Sequence, residues 1–157
     1  MAQPKPRDPS APRTANQRGA ARLAAVQALY QFEMEGTQQA ILLDEFHRHR
    51  LGAEIDEDQY ANAEVAFFDD VVKGVIARRD EIDELLSGKL ADGWSLARLD
   101  KTMLQILRAG AYELLARADV PTGAAIGEYL DVAHAFFDAR EAKFVNGVLD
   151  AVAKVVR

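Results

Sequence analysis

Two clusters in this 157-residue chain carry side chains that could do chemistry. The first is the run Lys143-Phe144-Val145-Asn146-Gly147-Val148-Leu149-Asp150. Lys143 and Phe144 place a cation beside a large ring on the first turn of a helix, where both could reach outward. On pattern alone Phe144 reads as an ordinary core ring. Val145, Val148, Leu149 and Val152 recur at the spacing of a buried helical stripe. Asn146-Gly147 interrupts it, and Gly costs about 1 kcal/mol against Ala inside a helix. Gly147 is therefore expected to admit a close helix neighbour, and the Asn146 amide to bond an orphaned backbone group. The second cluster is Arg18 and Arg22, one turn apart and so on one side of a helix.

Other reactive patterns are absent. With no cysteine, disulfides, thiolate metal sites and a thiol nucleophile are all excluded. Ser10, Ser87 and Ser95 lack a base in a recognisable arrangement. Gly123 and Gly127 have neither the lysine nor the preceding strand of a phosphate loop. His47 and His49, two apart on a helix, point different ways and make a poor metal pair, so both read as surface residues. His134, among apolar neighbours, reads as a packed histidine. The sequence favours a binding protein over an enzyme, with no cofactor and no metal.

Charge is distributed unevenly. Residues 1–22 hold Lys5, Arg7, Arg13, Arg18 and Arg22 against Asp8, a net of +4; with -6 for the whole chain, the remainder carries -10. A basic arm on an acidic body suggests a polyanionic partner for the arm. Four prolines within residues 1–13 forbid a helix there, so these residues read as a disordered arm ahead of a single domain over 14–157. No apolar run approaches the roughly 20 residues needed to span a bilayer, and the start is unlike a secretory signal, so a cytoplasmic protein without membrane contact is expected.

The elements that must position these residues are helical throughout. Thr14 and Gln17 have capping-box spacing, and Leu23, Val26, Leu29, Tyr30 and Met34 form the apolar face of a first helix that stops at Gly36. A second helix is predicted over 38–51, burying Ile41, Leu42, Leu43 and Phe46. Residues 54–58 form an acidic connector. A third helix runs from about 59 to 79, with Val65, Phe68, Val72, Val75 and Ile76 on one face. Asp80 is expected to cap a short fourth helix that ends at Gly88. Lys89 leads into a turn whose tryptophan, Trp94, is expected to plug the core. The longest apolar helix spans roughly 99–117 and is apolar on more than one face, the mark of a central helix. Arg108 lies beside that apolar surface, its stem along the core edge. Asp119-Val120-Pro121 ends this helix, and two more follow over about 122–137 and 139–156. An all-α bundle of six or seven helices is predicted.

Ala25-Val26-Gln27-Ala28-Leu29-Tyr30, Phe68 to Val75, Trp94-Ser95 leading to Leu99, Leu104 to Leu115, Asp119-Val120-Pro121 and Lys143 to Asp150 together resemble the bacterial NusB family. They span nearly everything after the Pro-rich arm, and the last run with its upstream AVQALY is quite specific.

The resemblance implies a small, non-catalytic, all-α RNA-binding protein. Its expected partner is ribosomal protein NusE, with which it would bind boxA RNA and nucleate an antitermination complex on RNA polymerase with other Nus factors. Carried over position by position, Arg18, Arg22, Arg108, Lys143 and Phe144 are the expected RNA contacts, and Phe144 becomes a partly exposed stacking ring. Arg13, Lys89 and Arg140 are further candidates, and Tyr30 resembles a position near the NusE-facing surface. Gly19-Ala20-Ala21 thin the arginine cluster found in relatives. Arg140 stands where relatives often have an acidic or small residue. Both monomers and homodimers are compatible with the resemblance. Two other readings remain: a purely protein-binding bundle, and an RNA-binding module of the type attached to ribosomal-RNA cytosine methyltransferases. For the latter, the strand-helix cofactor domain of such an enzyme is not expected in this chain.

Overall fold

Asp100 starts the element around which the others pack. Its carboxylate accepts the backbone N–H groups of Thr102 (2.8 Å) and Met103 (3.1 Å), satisfying donors that a helix start leaves orphaned. The computed structural model describes residues 14–51 and 62–157. Within them the chain forms α1 (Thr14–Glu35), α2 (Gln39–Phe46) continuing as a π turn (His47–Leu51), α3 (Asn62–Ala77) and α4 (Arg79–Ser87). A 3-10 turn (Leu96–Arg98) then precedes α5 (Lys101–Ala116), α6 (Thr122–Phe136) and α7 (Ala139–Val156). The described residues contain no strand, and none of their helices is long and apolar enough to cross a membrane.

Every residue of α5 from Met103 to Leu114 is buried, and α1, α3, α4, α6 and α7 all pack against it. Arg157, just past α7, closes the far end of α5. Its guanidinium donates to the carbonyls of Leu114 (2.9 Å), Val120 (2.6 Å), Arg117 (2.8 Å) and Glu113 (3.2 Å). A cation on the carbonyls of a helix end is favoured both by hydrogen bonding and by the helix dipole.

On α7 the predicted stripe is buried as its spacing requires: Val145, Val148, Leu149 and Val152, joined by Ala142 and Ala153. The glycine expectation moves elsewhere. A Cβ on Gly147 would meet nothing, and Asn146 is exposed, so this pair faces solvent. The close approaches are at Gly110, where a Cβ would lie 2.8 Å from Leu149 Cδ1, and at Gly74, where it would collide with the Tyr112 ring.

Several other expectations are corrected. The buried stripe of α1 is built from Ala21, Ala24, Ala25 and Ala28 with Val26 and Leu29, while Tyr30 and Met34 are exposed. Small alanines let α3 come close, so the contact face follows size rather than hydrophobicity. Ile41 and His134 are exposed, and Asp80 lies inside the first turn of α4 rather than at its cap. Trp94 is not a core plug. It stands 56 % exposed on the turn before the 3-10 segment. The Pro-rich arm with Arg13, the side chains of the Thr14–Gln17 capping box and the acidic connector at 54–58 lie outside the described residues.

Candidate nucleic-acid and partner interface

Arg22 projects from α1 into the core, where it is only 3 % exposed. Its Nε and Nη2 donate to the two carboxylate oxygens of Glu113 at 2.8 and 2.9 Å, a bidentate pair. The Tyr129 hydroxyl donates to the same carboxylate, and Glu128 lies 3.7 Å from Arg22 Nη1. Burial opposes the arginine's charge, but the hydrogen bonds and field of Glu113 outweigh it and raise the Arg22 pKa. The Tyr129 phenol is pushed well up, first by burial and then by the Glu113 carboxylate.

Arg108 is 6 % exposed and spent in the same way. It donates from Nε and Nη2 to Asp83 at 2.8 Å each and from Nη1 to Glu33, tying α5 to α4 and α1. Gln105 also donates to Glu33, completing the cluster. Arg22 and Arg108, both expected to face RNA phosphates, are thus turned inward and paired with carboxylates in this structure. Turning Arg22 towards a phosphate would strip the buried Glu113 carboxylate of its partner, which costs about 3–5 kcal/mol for a buried pair, and turning Arg108 would break its pairs with the part-buried Asp83 and Glu33. Both arginines hold the bundle together.

Arg18 is only partly committed. It lies over the Phe67 ring (4.8 Å), as do Arg22 (4.9 Å) and Arg117 (5.0 Å), and reaches Asp119 at a loose 3.9 Å. Arg117 also pairs with Asp70 (3.2 Å) and Asp119 (2.9 Å). The Tyr112 hydroxyl donates to Asp70 at 2.7 Å. Burial, and then that neighbouring carboxylate, push the Tyr112 phenol up to about 12.

Around the start of α7 the cations are differently placed. Lys89, Arg98, Arg140 and Lys143 make no ion pair with a carboxylate of the described residues, and all but the half-buried Lys89 are exposed. Asp138 caps α7 by accepting the Arg140 N–H at 3.0 Å, which sets Arg140 and Phe144 one turn apart on the same face. Phe144 is half-buried and packed against the core. It lines a groove of about 520 Å3 with Trp94, Met103, Phe137, Arg98 and Arg140. The turn that presents Trp94 closes through its N–H to the Ala91 carbonyl (3.0 Å) and needs a φ of 86° at Gly93, a value L side chains rarely adopt.

Tyr30 is 40 % exposed and lines a second hollow of about 330 Å3 with Gln27, Phe46, Thr102 and Phe136. Thr102 and Met103 on α5, and Phe136 and Phe137 at the end of α6, are chain neighbours that divide between the two hollows. The sequence expectation had missed Trp94 and Arg98 as surface groups. A signal existed: Asp92-Gly93 directly before Trp94 marks a turn, and turn residues are usually exposed.

Among the described residues the side chains named above form no catalytic constellation. His47 Nε2 lies 2.6 Å from Asp69, beside no nucleophile, and the described residues hold no group of three metal-ligating side chains. What the surface does present is a set of cations without carboxylate partners, exposed rings and two adjoining hollows.

Comparison with known proteins agrees with this architecture. The NusB family model matches residues 19–154. The transcription antitermination protein NusB of Novosphingobium aromaticivorans is 75 % identical over 140 residues, 89 % of this chain and 95 % of that protein. The Sphingopyxis alaskensis protein of the same name is 64 % identical, covering 91 % of this chain and 96 % of its own length. Among solved structures, Thermotoga maritima (T. maritima) NusB matches with a TM-score of 0.71 at 31 % identity, covering 87 % of this chain and 90 % of that one. NusB crystallised with NusE and double-stranded RNA matches with a TM-score of 0.71 at 25 % identity, over 89 % of this chain and 98 % of that one. With most of its length matched by the family model and by close relatives, the chain belongs to the NusB family.

Proposed function

We propose that this chain is a non-catalytic RNA-binding antitermination factor. It pairs with ribosomal protein NusE, binds boxA RNA together with it, and nucleates an antitermination complex of RNA polymerase and other Nus factors that supports ribosomal-RNA transcription. The observation that carries this reading is the likeness, over 89 % of the chain, to a NusB captured with both NusE and RNA. The surface supports it. Arg140, Lys143 and the half-buried Phe144 gather at the start of α7, with Arg18 and Lys89 as further phosphate contacts, while Arg22 and Arg108 serve the core. Tyr30, with the exposed Met34, Ile41 and Phe136, supplies apolar surface for the protein partner.

The test is a titration of labelled boxA-type RNA with the chain, with and without NusE, at two salt concentrations. Tighter binding with both proteins, weakened by Phe144→Ala and steeply salt-dependent, is the expected result. If NusE binds yet RNA affinity stays at that of a scrambled control, the protein is a NusE-binding module instead. The acidic body and its internally paired arginines favour that second reading.

A further inference from the structure

The groove between the Trp94 turn and the start of α7 combines features that a single kind of occupant would satisfy together. Trp94 presents its ring on one wall, and Phe137 and Phe144 form others. The Arg98 guanidinium lies 5.9 Å from the Trp94 ring centroid and is tethered there by donating to the Gly93 carbonyl at 2.8 Å. Arg140 stands at the rim without a carboxylate ion pair. Of the two acids that border the groove, Asp100 is committed to capping α5. Glu141 lies against the Asp138 carboxyl group, and its Oε2 is shielded from solvent without a hydrogen-bond donor of its own.

An aliphatic side chain would fill the apolar walls but leave Glu141 Oε2 without a donor and Arg140 without an anion. A nucleotide answers all of these. Its base has flat apolar faces for the rings and for Arg98, its edge can offer an N–H to Glu141, and its phosphate is an anion for Arg140.

We propose that this groove is a subsite for one unpaired nucleobase, with Trp94 as the stacking platform, Arg98 as the second plane and Arg140 on the adjoining phosphate. The inference rests on the RNA-binding reading above and assigns a specificity element within it. Affinity would then depend on a base and not on backbone charge alone, and the pocket would select single-stranded over paired RNA.

Trp94 is the only tryptophan in the chain, so its emission reports on this site alone. The experiment follows Trp94 fluorescence and the anisotropy of a labelled single-stranded RNA in parallel, using the full chain with and without NusE, which is chosen or engineered to be free of tryptophan. The RNA carries either all its bases or an abasic site stepped along its length. Quenching of Trp94 on RNA addition is expected. One abasic position should abolish the quench and weaken binding about five- to 150-fold, the range for losing one stacked base. Trp94→Ala should lose affinity by the same factor while Trp94→Phe retains it. Trp94 is exposed, so truncation opens no core, and a thermal melt of each variant checks folding. A rise in anisotropy with unchanged emission, or equal binding of every abasic RNA, overturns the subsite and leaves the RNA-binding reading standing. Emission that responds to NusE alone and not to RNA assigns the groove to the protein partner and equally overturns it. Absence of any anisotropy change, with or without NusE, removes the RNA-binding reading itself.

Discussion

Arg22→Ala isolates the difference between a structural and an RNA-facing arginine. In the native chain Arg22 makes two short hydrogen bonds to Glu113, a residue with no solvent exposure whose carboxylate is otherwise bonded only by the Tyr129 hydroxyl. Removing the guanidinium leaves that carboxylate in the core without a counter-charge. Breaking a buried pair from one side costs about 3–5 kcal/mol, and the lost contact with the Phe67 ring adds to it. At about 2–4 °C per kcal/mol for a chain of this size, the melting temperature should fall by roughly 6–20 °C. A thermal melt followed by far-ultraviolet circular dichroism measures this fall, and urea unfolding measures the free-energy loss itself. The double replacement Arg22→Met with Glu113→Leu removes both charges at similar volume and should recover part of the loss, because an apolar substitute for a buried ion pair is often near neutral, the remainder reflecting the buried Tyr129 hydroxyl left without its acceptor. This folded double variant then tests function. If Arg22 serves only the core, the salt slope of RNA binding is unchanged; if it contacts phosphate, the slope falls by about one unit. A loss below about 1 kcal/mol in Arg22→Ala, the range of an exposed pair, or a flattened slope in the double variant, would refute the structural assignment.

Four further outcomes are expected. Gly74→Ala should destabilise the chain by about 1–3 kcal/mol through overpacking, since the Tyr112 ring it strikes is held by Asp70; an unchanged urea midpoint would count against this packing. Arg157→Ala uncaps the end of α5 and should cost about 1–3 kcal/mol, read from the same unfolding curves, with an unaltered midpoint counting against the cap. Tyr112 is neutral in the fold up to about 12, above its ordinary value of 10.0. Its stabilising contribution is therefore complete below about 10 and is lost as pH rises towards 12. A near-ultraviolet phenolate titration should show late ionisation that becomes ordinary in urea; complete ionisation around 10 in the folded chain would contradict it. Arg140→Ala should leave stability within about 0.5 kcal/mol and flatten the salt dependence of RNA binding by about one unit; an unchanged slope removes Arg140 from the interface.

Local rules made much of the fold legible in the residues themselves. The three-and-four spacing of Val145, Val148, Leu149 and Val152 required a helix with one buried face, and that face is buried. Asp119-Val120-Pro121 had to end a helix because proline lacks the donor to continue it, and α5 ends just before. The many-sided apolar pattern of α5 identified the central helix, since only an element surrounded by others buries more than one face. These features depend on neighbours a few residues apart, which is what a sequence displays.

The fate of each charged or aromatic side chain depended on residues far along the chain. Arg18 and Arg22 look alike in sequence, yet Arg22 meets Glu113, 91 residues away, and is consumed, while Arg18 keeps a partly open face. Arg108 meets Asp83 and Glu33 from two other helices, which no spacing within α5 could foretell. Trp94 was read by its type as a core ring, whereas the turn at Gly93 carries it outward beside Arg98. The close-approach glycines proved to be Gly74 and Gly110 because only there do a Tyr112 ring and a Leu149 side chain arrive from another helix. Periodicity determines which residues share a helix face. Whether a cation on that face remains available for a phosphate is decided by the carboxylates that tertiary packing brings against it.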